Sequence, residues 1–463
     1  MTELSIRGTA IDGLKIIQLD VRADNRGWFK ENWQRAKMVA LGLPDFAPVQ
    51  NNVSFNTATG ATRGIHAEPW DKLVSVLHGR IFGAWVDLRP GDGFGTVVTL
   101  ELGPDQAVFV PRGVGNAFQT LADETVYSYL VNDHWSLAAK DSYTFCNLAD
   151  ETLAIAWPIP LAQAELSEAD KNHPRLAEVT PMRGPKRLVI GAGGQLGRAL
   201  LAAWPDADRL TRADLDLSDP VAVQKLDLSG YGVVVNAAAY TAVDAAETAQ
   251  GRRDAWATNA HAVAALVQAA REHRTTLVHV SSDYVFDGTV ESHTEDEPFS
   301  PLGVYGQTKA AGDAVVATLT RHYLLRTSWV IGEGKNFVAT MASLADRGIA
   351  PSVVADQFGR LTFTDEIVAA IDHLLAVEAP YGTYNVSNAG PVTSWADIAK
   401  AVYAGRGQDP TTVTEVTAEE YGRGKDLAPR PRHSALDLTK ISSTGYRPRP
   451  AQDRLASYLA DLG

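Results

Sequence analysis

A glycine-rich turn near the middle of the chain constrains the fold more than any other feature. Gly191, Gly194 and Gly197 directly follow the apolar run RLVI and open a helical pattern. Glycines at this spacing permit a tight turn, close approach of the backbone to a pyrophosphate and close packing of the helix on the strand. The helix N-terminus then offers free N–H groups to the phosphates. An ordinary glycine-rich turn is the alternative, but the flanking strand and helix favour nucleotide binding.

The residue pattern changes on either side of a polar stretch just before this turn. After it, apolar strands alternate with helical stretches, which predicts a Rossmann-type α/β domain with a parallel sheet. Before it, short β-rich runs alternate with Gly, Pro, Asp and Asn turns, which predicts an antiparallel barrel or sandwich. A chain of 463 residues also exceeds one hydrophobic core. We predict an all-β domain over 1–177, a linker over 178–186 and an α/β domain over 187–463.

Composition limits the partners of the chain. The 55 acidic residues outnumber the 42 basic ones, and the net charge of −13 argues against a nucleic-acid surface. Cys146 is the single cysteine, so no internal disulfide can form. The start of the chain lacks a signal-peptide pattern, and no apolar run reaches the roughly 18 residues of a membrane span. We therefore expect a cytoplasmic protein that binds neither nucleic acid nor membranes.

Two residues after the second strand of the α/β domain bear on the cofactor. Asp216 follows the glycine turn at about the distance of the acidic residue that binds a ribose. Arg212 stands where the 2′-phosphate of NADP needs a cation, although a solvent-facing arginine suits the position equally well. The sequence thus favours NADPH and leaves NADH open.

Three further residues suit the reduction of a ketone. Ser282 ends the strand TLVHVSS, and Tyr305 and Lys309 form a YxxxK pair one helical turn apart. Ketone reduction needs a hydride at carbon and a proton at oxygen. A tyrosine can deliver the proton when an ammonium lowers its pKa and a hydroxyl positions the carbonyl. Each residue alone has an ordinary structural explanation, but this order behind a dinucleotide fingerprint predicts a reductase.

The segments VVVNAAAYTAVDAAE, VSSDYVFDG, YGQTKAAGD and LLRTSWVIGEGKNFV resemble dTDP-4-dehydrorhamnose reductase, an extended short-chain dehydrogenase, from about Lys186 to the C-terminus. The resemblance implies that Ser282, where the family usually has threonine, forms a catalytic triad with Tyr305 and Lys309. It implies substrate contacts at Val285 and Trp329. It also implies a cofactor site made of Gly191, Gly194, Gln195, Leu196, Gly197, Arg212, Asp216, Leu217, Ala237, Ala238, Tyr240, Asn259, Tyr305 and Lys309.

The N-terminal half contains a second group of reactive side chains. His66 and Glu68 could supply two metal ligands, but the later turn PRGVGNAF brings no histidine, so we predict no metal. Without metal, a histidine can remove a proton from carbon beside a ketone, and a lysine can stabilise the enolate. Lys72 and one of Tyr127 and Tyr129 would complete such a site. Spacing alone favours ordinary structural roles for all of them.

The segments DNRGWFKENW, DKLVSVLHGRIFGAWVDLRP and VFVPRGVGNAF resemble dTDP-4-dehydrorhamnose 3,5-epimerase, from about Gly13 to Asp170. The resemblance implies a cupin-like barrel, commonly a homodimer. It implies His66 as the base, Lys72 as the enolate partner, Tyr129 as the proton donor and Asp170 as the residue that orients the histidine. It implies nucleotide-sugar contacts at Arg26, Glu31, Gln50, Asn52, Arg63 and Asn116. The family has histidine in place of Asn116 and a tyrosine near the position of Trp135.

Both halves therefore point to one dTDP-4-keto-sugar. We expect a fused enzyme that epimerises dTDP-4-dehydro-6-deoxy-D-glucose at C3 and C5 and then reduces C4 to give dTDP-L-rhamnose. The alternatives are an enzyme for another dTDP-6-deoxy-L-hexose, a reductase with an altered epimerase domain, and a non-catalytic nucleotide-binding subunit.

Overall fold

The computed structural model describes residues 3–135 and 142–462. The chain forms two compact units, residues 1–184 and 185–463. Within the described ranges, no helix is both long enough and apolar enough to cross a membrane.

The N-terminal unit is built from two antiparallel sheets. The first contains, in spatial order, β1 (Ser5–Gly8), β2 (Lys15–Gln18), β10 (Gln106–Val110), β7 (Lys72–His78), β12 (Thr125–Val131) and β5 (Gln50–Asn56). The second contains β13 (Thr144–Phe145), β6 (Thr62–Ala67), β11 (Val114–Thr120), β8 (Ile81–Asp87) and β9 (Val97–Leu102). The other elements of residues 3–135 and 142–184 are the hairpin β3 (Val21–Asp24) and β4 (Gly27–Lys30), the helices α1 (Arg35–Ala40) and α2 (Glu168–Lys171), and a 3₁₀ turn at Leu176–Glu178.

The core of this unit lies between the two sheets. Val74 of β7 and Tyr127 of β12 come from the first sheet, and Trp85 of β8 and Phe118 of β11 come from the second. Side chains alternate between the faces of a strand, so each strand directs every second residue into this layer. The structure thus has the all-β, cupin-like architecture that the sequence predicted.

The C-terminal unit is a parallel sheet with helices on both faces. Its strands, in spatial order, are β15 (Asp208–Leu210), β14 (Lys186–Ile190), β16 (Tyr231–Asn236), β17 (Thr276–Ser282), β18 (His322–Thr327) and β23 (Gly382–Asn385). The chain runs from β14 outward to β15 and then returns to β16 on the other side. Ligands of such sheets bind beyond the carboxyl ends of the strands at this change of direction. The topology confirms the predicted Rossmann-type fold.

Helices and short strands complete this unit. The helices are α3 (Gln195–Ala203), α4 (Pro220–Gln224), α5 (Val243–Ala246), α6 (Ala249–Trp256), α7 (Ala262–Glu272), α8 (Val304–Val316), α9 (Phe337–Asp346), α10 (Thr364–Ala376), α11 (Trp395–Gly405), α12 (Ala418–Gly422), α13 (Thr439–Ser443) and α14 (Ala451–Asp461). A π-helical turn at Ala257–His261 joins α6 to α7, and 3₁₀ turns lie at Asp283–Val285 and Pro410–Thr412. The short strands pair as β19 (Val330–Ile331) with β22 (Thr362–Phe363), β20 (Ser352–Val354) with β25 (Thr414–Val416), and β21 (Phe358–Gly359) with β24 (Thr393–Ser394).

Strand β14 shows how the sheet builds two cores. Leu188 and Ile190 pack with α7 on one face, and Val189 between them packs with α3 and α10 on the other. A strand buried on both faces needs an unbroken apolar run, which explains the sequence RLVI before the glycine turn.

Leu266 of α7 is fully buried in the first of these cores, whereas Gln268 of the same helix is exposed. We expect Leu266→Ala to lower the free energy of unfolding of this unit by about 2–5 kcal/mol, because it removes buried methyl groups and leaves a cavity. Gln268→Ala is the matched control and should change it by less than about 0.5 kcal/mol. Hydrogen exchange of the β17 amides, measured against denaturant, reports the difference. Equal stability of the two variants would contradict this account of the core.

Candidate active sites

The N-terminal unit encloses a cavity of about 410 Å³. That volume lies in the range of small-molecule sites. Its walls include His66 of β6, Lys72 of β7, Asn116 of β11 and Tyr129 of β12. The two facing sheets therefore bring together side chains that are distant in the sequence.

His66 is paired with Asp170, which comes from helix α2, 104 residues later. The His66 Nε2 and Asp170 Oδ1 atoms are 2.8 Å apart. Burial alone would raise the pKa of Asp170, but the hydrogen bond and charge of His66, with a hydrogen bond from Ser167, hold this pKa below its usual value. The carboxylate therefore stays ionised at neutral pH and can hold a proton on Nε2, which leaves Nδ1 as the proton acceptor.

His173 is a neighbour of this pair that the sequence analysis did not single out. Its Nε2 lies 3.3 Å from the same Asp170 oxygen, and its ring stacks on Phe145. The possible ligand atoms of His66, Asp170 and His173 lie within 4.8 Å of one another. A set of two histidines and one carboxylate can hold a transition metal. The sequence analysis considered only His66, Glu68 and the PRGVGNAF turn, whereas this set draws on Asp170 of α2 and on His173 just after it. The absence of a metal stays a prediction.

Lys72 is almost completely buried beside Glu68. Its Nζ lies 2.8 Å from Glu68 Oε2, which also accepts a 2.6 Å hydrogen bond from Trp70 Nε1. The ammonium also lies 5.9 Å from the centre of the Tyr129 ring. A buried ammonium needs an opposite charge nearby, and Glu68 supplies it. The cavity thus contains a fixed positive charge that can stabilise an oxyanion.

Two tyrosines of β12 line the cavity in different states. Tyr127 is 2% exposed, and its hydroxyl donates to Asn116 Oδ1 at 3.1 Å. Tyr129 is more accessible, and burial together with the charge of Glu68 raises the pKa of its hydroxyl. That hydroxyl therefore stays protonated at neutral pH and can donate a proton.

The six predicted substrate contacts of this unit form three pairs. Arg63 and Asn116 line the cavity. Gln50 and Asn52 lie behind Trp135, which lines the cavity. The backbone N–H of Trp135 donates to the Gln50 side-chain oxygen, and the Gln50 amide donates to Asn52 Oδ1. The other two lie outside it. Arg26 is exposed on the β3–β4 hairpin and paired with Asp24, and Glu31 is paired with Lys37.

In the C-terminal unit, the glycine turn has the geometry of a phosphate cradle. Gly191 has φ +83°, which favours glycine, and a side chain there would lie 2.6 Å from the backbone nitrogen of Ala238. A side chain at Gly197 would lie 2.2 Å from the carbonyl of Gly191. Gly194 caps α3 without a side chain. The open N-terminus of α3 and the closely approached backbone fit a dinucleotide pyrophosphate.

Of the other predicted cofactor residues, some lie beside the glycine turn and others are buried in the cores on either side of the sheet. Ala237 and Ala238 follow β16 beside Gly191, and the Gln195 amide donates to the carbonyl of Lys335. Leu196 and Leu217 are buried in the two cores, so their side chains pack inward.

Asn259 supports the loop after β16 and does not face open space. It is 1% exposed, and its side chain bonds both the N–H and the carbonyl of Tyr240 as well as the Thr308 hydroxyl. These bonds fix the Asn259 amide beside the Tyr240 loop, and its contact with the cofactor stays a prediction. Its place in a π-helical turn directs the amide toward these partners.

Arg212 and Asp216 lie on the surface after β15. Asp216 accepts hydrogen bonds from the backbone and hydroxyl of Ser218, which hold its pKa low. The Arg212 side chain is 86% exposed, and its Nε lies 3.9 Å from Asp216. The guanidinium is thus free to turn toward a phosphate.

Ser282, Tyr305 and Lys309 come together at the carboxyl end of β17. Tyr305 and Lys309 are one turn apart on α8, and the Ser282 hydroxyl, which donates to Asp283 Oδ1 at 3.0 Å, lies close enough to Tyr305 to lower its pKa. Burial raises the pKa of Tyr305, Ser282 opposes this effect, and the charges of Asp283 and Asp313 add to it. Burial also lowers the pKa of Lys309 to about 8, and its Nζ donates to the Val280 carbonyl at 2.8 Å.

The two predicted substrate contacts of this unit differ in accessibility. Val285 is 0% exposed and packs in a small core with Phe286, so its side chain has no open surface for a ligand. Trp329 has φ +47°, and its ring stacks on Trp395 at 3.7 Å between centroids. This stacking fixes the indole at the start of β19.

Comparisons with known proteins agree with both arrangements. The model of the RmlD substrate binding domain matches residues 186–463, and the model of dTDP-4-dehydrorhamnose 3,5-epimerase matches residues 8–178. The chain belongs to both families. Its C-terminal domain is a reductase-family domain, and its N-terminal domain is an epimerase-family domain.

Individual relatives cover each domain almost completely. The RmlC homologue of Streptococcus pyogenes is 51% identical over 183 residues, which are 38% of this chain and 91% of the relative. A dTDP-4-dehydrorhamnose reductase of Aggregatibacter actinomycetemcomitans is 36% identical over 293 residues, which are 59% of this chain and 98% of the relative. The crystal structure of the Bacillus anthracis dTDP-4-dehydrorhamnose reductase in complex with NADP is 31% identical, covers 60% of this chain and 99% of that chain, and has a TM-score of 0.55.

Three features of the epimerase-family cavity were not predicted from the sequence. His173 shares the Asp170 carboxylate, Glu68 balances Lys72, and Tyr143 lines the cavity just before β13. The alternation of apolar residues in YTFC is a weak strand signal that could have indicated Tyr143.

Glu68→Gln tests whether the Glu68–Lys72 pair is required in the cavity. Glutamine keeps an acceptor for Trp70 but leaves the Lys72 ammonium buried without an opposite charge. We expect the free energy of unfolding of the epimerase-family domain to fall by about 3–5 kcal/mol. Hydrogen exchange of the β7 amides measures this change.

The double variant Glu68→Gln/Lys72→Met is the control, because it buries no unbalanced charge and should recover most of the loss. A double variant no more stable than Glu68→Gln would contradict the role given to the pair.

Proposed function

We propose that this chain is a bifunctional enzyme of dTDP-L-rhamnose synthesis. Its epimerase domain inverts C3 and C5 of dTDP-4-dehydro-6-deoxy-D-glucose, and its reductase domain reduces C4 with NADPH. The observation that carries the proposal is the presence, on one chain, of a His66–Asp170 pair facing Lys72 and a Ser282–Tyr305–Lys309 cluster behind a glycine cradle. We assign epimerisation to residues 1–177 and reduction to 187–463.

The epimerase chemistry follows from three groups of the cavity. His66 takes the proton from the carbon next to the C4 ketone, and Asp170 stabilises the imidazolium that forms. Lys72 stabilises the negative charge that develops on the ketone oxygen. Tyr129 returns a proton to carbon from the other side of the sugar. Arg63 is the cation in the wall that suits the diphosphate of the nucleotide sugar.

The reductase chemistry follows from the triad and the glycine cradle. NADPH, when bound with its pyrophosphate at Gly191, Gly194 and Gly197, supplies the hydride for C4. Ser282 donates a hydrogen bond to the ketone and Tyr305 gives its proton to the oxygen. The nearby positive charge of Lys309 stabilises the tyrosinate that results.

We further propose that the enzyme works in the cytoplasm as a homodimer formed by the epimerase domain, without nucleic-acid or membrane partners. Strand β5 lies at the edge of its sheet with Val53 and Phe55 59% exposed, and Trp28 and Phe29 of β4 are also exposed. An apolar edge strand of this kind favours pairing with a second copy.

Two variants separate the domains in one assay of NADPH absorbance with dTDP-4-dehydro-6-deoxy-D-glucose. We expect His66→Asn to lower NADPH oxidation by about 10²-fold or more, since the base is lost. Adding a separate dTDP-4-dehydrorhamnose 3,5-epimerase should restore it. Tyr305→Phe should lose oxidation to a similar extent with or without the added epimerase. NMR of the wild-type product should show the L-rhamno configuration.

If the wild-type protein oxidises NADPH only when the separate epimerase is added, the reductase assignment stands and the epimerase assignment is contradicted. No oxidation under either condition would contradict the whole proposal.

Arg212→Ala tests the preference for NADPH. Loss of the guanidinium should weaken NADPH binding by about tenfold, because a charge-assisted hydrogen bond to phosphate contributes roughly 1.5–3 kcal/mol and exposure reduces that value. NADH lacks the phosphate, so its affinity should stay the same. Fluorescence titration of both nucleotides measures this, with the exposed neighbour Arg209→Ala as the control. Equal loss for both nucleotides would contradict the assignment.

A further inference from the structure

Strand β13 brings Tyr143 to the epimerase cavity. In the pairing of β13 with β6, Phe145 lies opposite His66 and Thr144 lies opposite Ala67. Continuing this register by one residue places Tyr143 beside Glu68. His66, Glu68, Phe145 and Tyr143 all line the cavity, whereas Ala67 packs into the core on the other face. The alternation of the two strands therefore directs Tyr143 toward the reacting groups.

Aromatic contacts fix the Tyr143 ring in this position. It meets the Trp70 ring edge to face at 5.4 Å between centroids, and it lies 5.8 Å from the Phe145 ring. Trp70 is itself hydrogen-bonded to Glu68, the partner of Lys72. Tyr143 is thus attached to the cluster that stabilises the enolate.

The proposed epimerisation requires more than one proton donation. C3 and C5 flank the ketone on opposite sides, and each inverted carbon must receive a proton on the face opposite to the one that it lost. Tyr129 supplies one donor. Tyr127 is unsuited to this task, because its hydroxyl is buried and already donates to Asn116. Among the described residues of the cavity wall, Tyr143 is the remaining tyrosine.

The surroundings of Tyr143 keep its hydroxyl in the donor form. Burial, the charge of Glu68 and the neighbouring Tyr129 all raise the pKa of Tyr143. Tyr129 and Tyr143 therefore both bring a protonated hydroxyl to the cavity wall, Tyr129 from β12 of one sheet and Tyr143 from the residue before β13 of the other.

We propose that Tyr143 is a second proton donor of the epimerase site, so that Tyr129 and Tyr143 each serve one of the two carbons beside the ketone. This inference rests on the proposed epimerase function. In each half-reaction, the C–H bond breaks, its proton goes to His66, and its electrons form the enolate held by Lys72. The electrons then return to carbon and form a C–H bond with the proton of the tyrosine O–H. The phenolate regains a proton from water, and the imidazolium releases one to water.

The test is Tyr143→Phe in the full chain, which removes the hydroxyl and keeps the ring contacts with Trp70 and Phe145. Without NADPH in D₂O, proton NMR of dTDP-4-dehydro-6-deoxy-D-glucose follows deuterium uptake and inversion at C3 and C5 separately. We expect inversion at one of these carbons to slow by about 10²-fold and inversion at the other to change less than about threefold, as general acid catalysis contributes about 10²–10⁴. Tyr129→Phe should show the complementary pattern.

Reduction of dTDP-4-dehydro-L-rhamnose by the same preparations is the internal control, and both variants should match the wild type. If Tyr143→Phe inverts both carbons at the wild-type rate, or slows both inversions equally, the second-donor role is overturned and the epimerase function stands. A wild-type protein that exchanges neither carbon would overturn the epimerase function and this inference with it.

Discussion

Each domain buries a lysine beside its candidate active site, and each buried ammonium needs neighbouring groups that replace its water. Lys72 lies at 2.8 Å from Glu68, and Lys309 donates to the Val280 carbonyl with the carboxylate of Asp313 nearby. Removing an ammonium from water costs several kcal/mol unless an opposite charge or acceptors replace the water. The same desolvation makes each charge more effective on an oxyanion, because the local dielectric is low.

The two domains balance these charges differently. In the epimerase domain, one carboxylate oxygen holds both Lys72 and the Trp70 indole, so the charge is fixed by a compact pair. In the reductase domain, the balancing group Asp313 is itself buried and pairs with Arg326 at 3.1 Å. A chain of alternating charges thus runs from the triad into the core between α8 and β18.

The union of both activities in one chain has a physical consequence for the intermediate. The 4-keto sugar produced by the epimerase domain is the substrate of the reductase domain. Covalent linkage raises the effective concentration of the second domain near the first and keeps the two in equal amounts. Reduction then removes the ketone, which is the group that allows further exchange at C3 and C5.

The sequence by itself determined the two fold classes, the glycine cradle and the Ser282–Tyr305–Lys309 cluster. These features depend on residues close together in the chain or on one strand and one helix, where periodicity and turn chemistry act locally. The resemblance to the epimerase family also indicated His66, Lys72, Tyr129 and Asp170. All four line the same cavity in the structure.

The tertiary structure alone decided how these groups are supported. It placed His173 on the Asp170 carboxylate, Glu68 on Lys72 and the Tyr143 ring against Trp70. It also directed the Asn259 amide onto the backbone of Tyr240. The physical reason is that these contacts depend on strand register and on segments that meet only after folding. A shift of one residue in the β6–β13 register would turn Tyr143 away from the cavity, and the local sequence carries no signal that sets that register.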